Sequence, residues 1–363
     1  MKLKDKQREN NQILARSNYT ISPRMRYKPE QVWFPLSEDI LAWDEDFHEL
    51  MLRDHIRMTA YEAAIKERVK PGMAVLDLGT GTGILALWAL QAGARKVYSI
   101  DVNPNRIPQA LGRIENAGYK DQFQIYNALS YNVALPERVD VVVSETLGNL
   151  GDNEDMCRIL NDAYTRFLKP RGFMLPSKVT TSLVPVSSEC AHTQIAMKRF
   201  KGINYSYKLN DLLHKLKISN QFNLYYDAIL PKSTYLSIPQ SVRTFYFNGR
   251  DAPEYQIKRN FQIIQPGKFT GFKGSFSADL SERVDLDISG DDISKRITSD
   301  CWKHCYLPIE NTIDVQRGDD ISLTYGRMYP SMPESIFRQI YFWEGKIIRG
   351  KKVIASFKQR MEE

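Results

Sequence analysis

The sequence predicts an α/β chain: a Rossmann-like parallel-sheet domain followed by an antiparallel β-barrel domain that carries a helical arm. Three observations predict it. Apolar strands alternate with helical segments up to about residue 176. A strand ending at Asp77 runs directly into Gly79-Thr80-Gly81-Thr82-Gly83 and then an apolar helix. Beyond Pro176 the texture changes to short alternating strands.

The elements follow in order. Residues 1–39 form a basic leading segment broken by Pro23, Pro29 and Pro35. Ile40 to Lys70 has a helical pattern, with Leu50, His55, Met58 and Tyr61 among its face positions, and Pro71-Gly72 stops it. Met73 to Asp77 reads as a buried strand, Ile84 to Ala92 as a helix, Lys96 to Asp101 as a second strand and Arg106 to Ala117 as a second helix. Phe123-Gln124-Ile125-Tyr126 and Val139 to Ser144 continue the sheet. Met156 to Phe167 reads as a helix that Lys169-Pro170-Arg171-Gly172 ends. The cofactor domain is thus expected over 40–176 and a barrel over 177–363, interrupted by a helical stretch at about 194–222.

Composition narrows the function. A chain of 363 residues with 42% hydrophobic content can bury two cores, and no apolar run approaches the length of a membrane span. The start is basic but lacks the apolar stretch of a signal peptide, so a cytoplasmic setting is expected. Four cysteines give no disulfide framework. Cys301, His304 and Cys305 resemble half a zinc site with no second pair at zinc spacing, so no metal is expected. Of the net charge of +7, residues 1–28 carry +6, from eight Lys or Arg against Asp5 and Glu9. The remainder is nearly neutral, which argues against a broad nucleic-acid-binding face.

Two motifs carry chemistry. The glycine loop permits a tight turn and close backbone approach, and the helix behind it offers positive potential. Its spacing differs from that of nicotinamide enzymes and it lacks the Gly-Lys-Ser/Thr of a phosphate-binding loop. Asp101, at the end of the next strand, suits the two hydroxyls of a ribose. The second motif is Ser144-Glu145 through Glu154, two carboxylates nine residues apart after an apolar strand. Paired carboxylates form a fork for a planar cation. Together the motifs point to methyl transfer from S-adenosyl-L-methionine to a guanidinium, with Glu145 and Glu154 binding the cation and stabilising its transition state. Two such carboxylates side by side also repel, which raises the pKa of one of them. Trp302 reads either as core or as a pocket wall that stacks on the substrate. Asp152 and Asp155 read as solvated charges whose field draws a cation.

These segments resemble the protein arginine methyltransferase family. The resemblance rests on Val75 to Leu85, on Ser144-Glu145 through Glu154, on Phe167 to Pro176 and on His48 to Arg57. It implies that Arg57 holds the carboxylate of the cofactor, that Met51 lies beside the transferred methyl, and that Asp77, Gly79, Gly81, Gly83, Asp101 and Ser130 surround the cofactor. It further implies a homodimer joined by the 194–222 arm. Three positions depart from the family pattern. Its Thr-His-Trp loop falls at Asp300-Cys301-Trp302, where a cysteine lacks the imidazole's hydrogen bond to a carboxylate. Its paired aromatics have only Trp43 and Phe47 as counterparts, at a different spacing. Its acidic adenine contact falls near Ser130 and Tyr131. The expected substrate is arginine in a protein or peptide. A small guanidine such as free arginine or agmatine, and a catalytically silent dimeric binding module, are the alternatives.

Overall fold

The computed structural model describes residues 28–35, 37, 45–199, 213–214, 217–290, 299, 301–331 and 338–362. Most of the basic segment, Trp43 and most of the expected arm lie outside the described residues.

A short strand β1 (Val32–Trp33) precedes two helices, α1 (Glu45–Arg53) and α2 (His55–Arg68). The sequence predicts one helical stretch here. It divides because Asp54 is extended and its side chain caps α2, accepting the Arg57 N–H at 3.1 Å. Then come β2 (Ala74–Leu78), α3 (Ile84–Gln91), β3 (Lys96–Asp101), α4 (Ile107–Asn116), β4 (Phe123–Asn127), β5 (Val139–Ser144), α5 (Met156–Arg166) and β6 (Leu168–Leu175). The five strands form one parallel sheet in the order β4-β3-β2-β5-β6. All of β2 and nearly all of β5 are buried, as strands covered by helices on both faces must be.

The sequence reads Lys169 to Gly172 as what ends the preceding helix, and α5 does end at Arg166, but these residues themselves lie within β6. The pairing skips from Val139↔Leu168 to Val141↔Phe173, and Arg171 takes φ 67°. This irregularity absorbs the turn-forming residues without ending the strand.

The second half begins with β7 (Lys178–Val186) and α6 (Glu189–Ala196). It continues through β8 (Tyr226–Ala228), β9 (Gln240–Phe245), β10 (Tyr255–Gln262), β11 (Gly267–Asp279) and β12 (Asp285–Asp287). The last strands are β13 (His304–Val315), β14 (Asp320–Met328), β15 (Ile340–Arg349) and β16 (Lys352–Arg360). One antiparallel sheet runs β1-β8-β13-β11-β7-β9 with β12 on β11, and the other runs β10-β14-β15-β16. Their inner faces meet through aromatic rings: Phe269 and Phe272 of β11 lie 5.5 and 5.9 Å from Phe357 of β16. A separate apolar core fills the parallel-sheet half, and it extends into the strands through Val179, Phe276, Ala278 and Trp302. The two halves therefore share packing where the site lies. Among the described residues no helix is long and apolar enough to cross a membrane.

Candidate active site

The site is a cavity at the carboxyl ends of β2, β3 and β5, where strand order reverses in an open parallel sheet. The glycine loop enters it directly. Gly79 and Thr80 donate to Ile100 O at 2.9 and 3.2 Å, and Gly81 donates to Asp101 Oδ2 at 2.7 Å. Gly79, Thr80 and Gly81 line the cavity. Gly83 serves the scaffold instead: at φ 77° it starts α3, and a Cβ there would lie 3.0 Å from the Ala110 backbone of α4.

Asp77 also sits beneath the loop and outside the cavity lining. It is buried, and its Oδ2 accepts Thr80 Oγ1 at 2.5 Å and the Ala86 N–H at 3.2 Å, fastening loop to helix. Burial pushes its carboxyl up to about 7, against the pull of those hydrogen bonds. Asp101 does face the cavity. Each of its oxygens takes one backbone N–H, from Asn103 and Gly81, and each retains acceptor capacity. Burial raises its pKa, opposed by those same bonds.

At the far end, α2 presents Arg57 and Tyr61 one turn apart on the same face. Arg57 is ion-paired with Glu145, and both side chains are largely buried, at 12% and 7% exposure. Tyr61 donates to Ser144 O at 3.1 Å, fixing the start of the loop that carries both glutamates. The sequence marks Tyr61 only as a helix-face residue; its position four after Arg57 is the signal that it shares the site. Glu154 lines the same cavity. Its carboxyl is pushed up to about 7, first by burial and further by Asp227, against Arg57 and a hydrogen bond from Ser37. The sequence expectation is repulsion between the two glutamates, whereas the rise comes from burial and from Asp227, with Glu145 paired to Arg57. Met51, Ser130 and Tyr131 also line the cavity, and Leu129 and Ile159 provide apolar surface.

Trp302 stands behind this lining. Its indole N–H donates to Leu147 O at 2.5 Å, its ring packs edge-on against Phe276 at 5.2 Å, and the Arg57 guanidinium lies 5.4 Å from it. It buttresses Arg57 and the double-glutamate loop as part of the core of the parallel-sheet half. Of the catalytic and cofactor-binding residues expected from the sequence, the cavity therefore gathers all but Asp77, Gly83 and Trp302.

Two sequence expectations are corrected here. Asp152 and Asp155 are fully buried, not solvated. Asp152 accepts the Tyr255 and Tyr341 hydroxyls at 2.8 and 2.9 Å, and Asp155 is ion-paired with Arg327 at 2.7 Å. Cys301 does bond a carboxylate: its thiol and its N–H both lie 3.1 Å from Asp54 Oδ2, which also accepts the Ser299 hydroxyl. Ser299 in turn accepts the Trp302 N–H at 3.0 Å. A thiol thus links α2 to the Trp302 loop.

The donor set fits an adenosyl group. Asp101 suits a diol, Leu129 and Ile159 suit a flat apolar ring, and Arg57 suits a carboxylate at the other end.

Comparison with known proteins agrees with this geometry. A family model described as Ribosomal protein L11 methyltransferase (PrmA) matches residues 58–181. Protein arginine N-methyltransferase PRMT10 of Oryza sativa subsp. japonica is 38% identical over 148 residues, covering 40% of this chain and 38% of that protein. The chain thus spans about two fifths of the length of the rice relative it matches. Protein arginine N-methyltransferase 6 of Xenopus laevis is 29% identical over 307 residues, 82% of this chain and 86% of that one. The crystal structure of Arabidopsis thaliana protein arginine methyltransferase 10 superposes with a TM-score of 0.71 at 22% identity, over 89% of this chain and 99% of that one. The Trypanosoma brucei PRMT1 enzyme-prozyme heterotetrameric complex with AdoHcy gives a TM-score of 0.71 at 18% identity, over 89% of this chain and 100% of that one. With the glycine loop, Asp101, Arg57 and the two glutamates gathered on one cavity, this chain is similar to protein arginine N-methyltransferases in sequence and in fold.

Proposed function

We propose that the chain is an S-adenosyl-L-methionine-dependent N-methyltransferase acting on the guanidino nitrogen of arginine in a protein or peptide. The observation that carries this reading is that Glu145 and Glu154 open on the same cavity as the glycine loop and Asp101. S-Adenosyl-L-methionine, when bound, supplies a methyl group already made electrophilic by its sulfonium. Arg57 is the residue to hold its carboxylate and Asp101 its ribose, with Met51 and Ser130 along its length.

The rest is positioning by this chain's own side chains. A guanidinium is a weak nucleophile because its lone pairs are delocalised and its pKa exceeds about 12. Glu145 and Glu154 accept its N–H groups and draw positive charge toward the nitrogens they hold, which leaves electron density on the attacking one. Glu154, whose carboxyl is pushed up to about 7 by burial, is suited to take the proton the nitrogen releases.

On this reading residues 1–39 form a basic leader, 40–176 the cofactor half and 177–363 the substrate half. The 194–222 arm joins two copies into a homodimer in the cytoplasm. Relatives named for protein arginine support the protein substrate over a small guanidine. Incubation with methyl-labelled cofactor against protein, arginine-rich peptide, free arginine and agmatine tests it. Label on protein or peptide arginine is expected. Label on the small guanidines alone replaces the substrate assignment, and no label on any acceptor removes the enzymatic reading.

A further inference from the structure

The loop between the two glutamates is folded around one amide side chain. Asn153 Oδ1 accepts the Leu150 N–H at 2.9 Å, and Asn153 Nδ2 donates to Asn149 Oδ1 at 3.0 Å. Asn149 Nδ2 in turn donates to Asp227 Oδ1 at 2.7 Å. Asp227 is 5% exposed and sits on β8, where its backbone pairs with Trp33 of β1 on one side and Cys305 of β13 on the other. The two amides therefore point head to tail toward a carboxylate fixed on a strand paired on both sides. The last of them belongs to the residue immediately before Glu154.

We propose that Asp227 is a positioning residue for Glu154, holding the second glutamate through Asn149 and Asn153. A buried carboxylate requires donors, and an ionised one orients each amide in a chain more strongly than a neutral acceptor does. Ser37 ties the same points together, accepting from Asn153 Nδ2 at 3.0 Å and bonding to the Glu154 carboxyl. Of the charged groups near Glu154, Arg57 from α2 favours its ionised form and Asp227 from β8 opposes it, and Glu145 at the other end of the loop lines the same cavity. Asp227 thus fixes where Glu154 sits and adds to the burial that raises its pKa. The proposal rests on Glu154 being part of the guanidinium clamp.

The test reads the chain itself and the reaction separately. Protein carrying carboxyl-labelled glutamate is titrated by carbon NMR, with the Glu154 signal identified by its loss in Glu154→Gln. Asp227→Asn is expected to lower the titration midpoint of Glu154 below that of the wild type. It is also expected to lower kcat roughly tenfold while cofactor affinity holds. Asn149→Ala severs the chain from within the loop and is expected to lower kcat with the Asp227 charge still present. An unchanged Glu154 midpoint in Asp227→Asn overturns the proposal, as does wild-type kcat in Asn149→Ala. Should Asp227→Asn fail to fold, Asn149→Ala decides alone. If the wild type methylates no arginine, the functional reading falls, and the carboxyl titration still decides whether Asp227 governs Glu154.

Discussion

Arg57 and Glu145, 88 positions apart, are paired inside the cavity, so the first glutamate already holds a guanidinium, one supplied by the chain itself. On the proposed reading Glu145 also accepts a substrate cation, and a carboxylate arriving beside Arg57 is the natural competitor for the pair.

The cofactor is therefore expected to bind before the arginine substrate. Arg57→Ala removes the cation from both partners. Cofactor affinity is expected to fall by roughly tenfold to a hundredfold, the range for one hydrogen bond to a charged group, about 1.5–3 kcal/mol. Arg57→Lys keeps the charge but loses the planar fork and is expected to fall between the two. Calorimetric titration with S-adenosyl-L-methionine measures both. Equal affinity in wild type and Arg57→Ala would confine Arg57 to its pairing with Glu145.

A second expectation concerns pH. Glu154 and Asp77 both carry folded-state pKa values raised to about 7, from ordinary values of 4.5 and 3.8. Between the ordinary range and about pH 7, the unfolded chain has released protons that the folded chain keeps. Stability therefore falls as pH rises through that window and levels off above it. Activity runs the other way, because the clamp needs Glu154 ionised to bind a cation and to receive its proton. The acid limb of kcat/KM is expected near pH 7, while urea midpoints decline over the same interval. Glu154→Gln is expected to flatten part of the stability slope and nearly abolish turnover, with cofactor binding largely intact. Wild-type turnover in that variant would remove Glu154 from the mechanism.

The parts legible in the sequence are those whose chemistry is contiguous. The glycine loop and Glu145 each follow a strand directly, Asp101 ends one, and Glu154 comes nine residues after Glu145, so period and spacing place them. Asp152 and Asp155 escape such a reading because what buries them comes from far along the chain. Tyr255, Arg327 and Tyr341 lie 103, 172 and 189 positions from the carboxylates they serve. Cys301 escapes it for the same reason, since its acceptor Asp54 is 247 positions away. A charge in a loop looks solvated until the strands that cover it are known.

That burial has a thermodynamic consequence. Arg327 is fully buried between Asp155 and Asp152, with Tyr329 donating to Asp155 as well. Removing one partner of a buried ion pair leaves an uncompensated charge, which costs about 3–5 kcal/mol. Arg327→Met is expected to lose stability of that order in urea denaturation. Combining it with Asp155→Asn is expected to recover part of the loss. A change below about 0.5 kcal/mol for Arg327→Met would mean the network is open to water.

Two glycines give a matched pair of tests on packing. Gly112 lies within α4, and nothing stands within 4 Å of the place a methyl would take, so Gly112→Ala is expected to stabilise by about 0.5–1 kcal/mol through helix propensity alone. Gly148 is the opposite case. A Cβ there would collide with Asn153 Oδ1 and lie 2.5 Å from its Cγ. The Asn153 amide cannot swing away freely, because Leu150 donates to one end and the other end donates to Asn149 and Ser37. Gly148→Ala must therefore displace the amide next to Glu154 and is expected to cost about 1–3 kcal/mol. It is also expected to lower kcat with cofactor affinity preserved, since the glycine loop and Asp101 lie on other elements. If Gly148→Ala lost stability and kept wild-type kcat, Glu154 would hold its place independently of the loop that carries it.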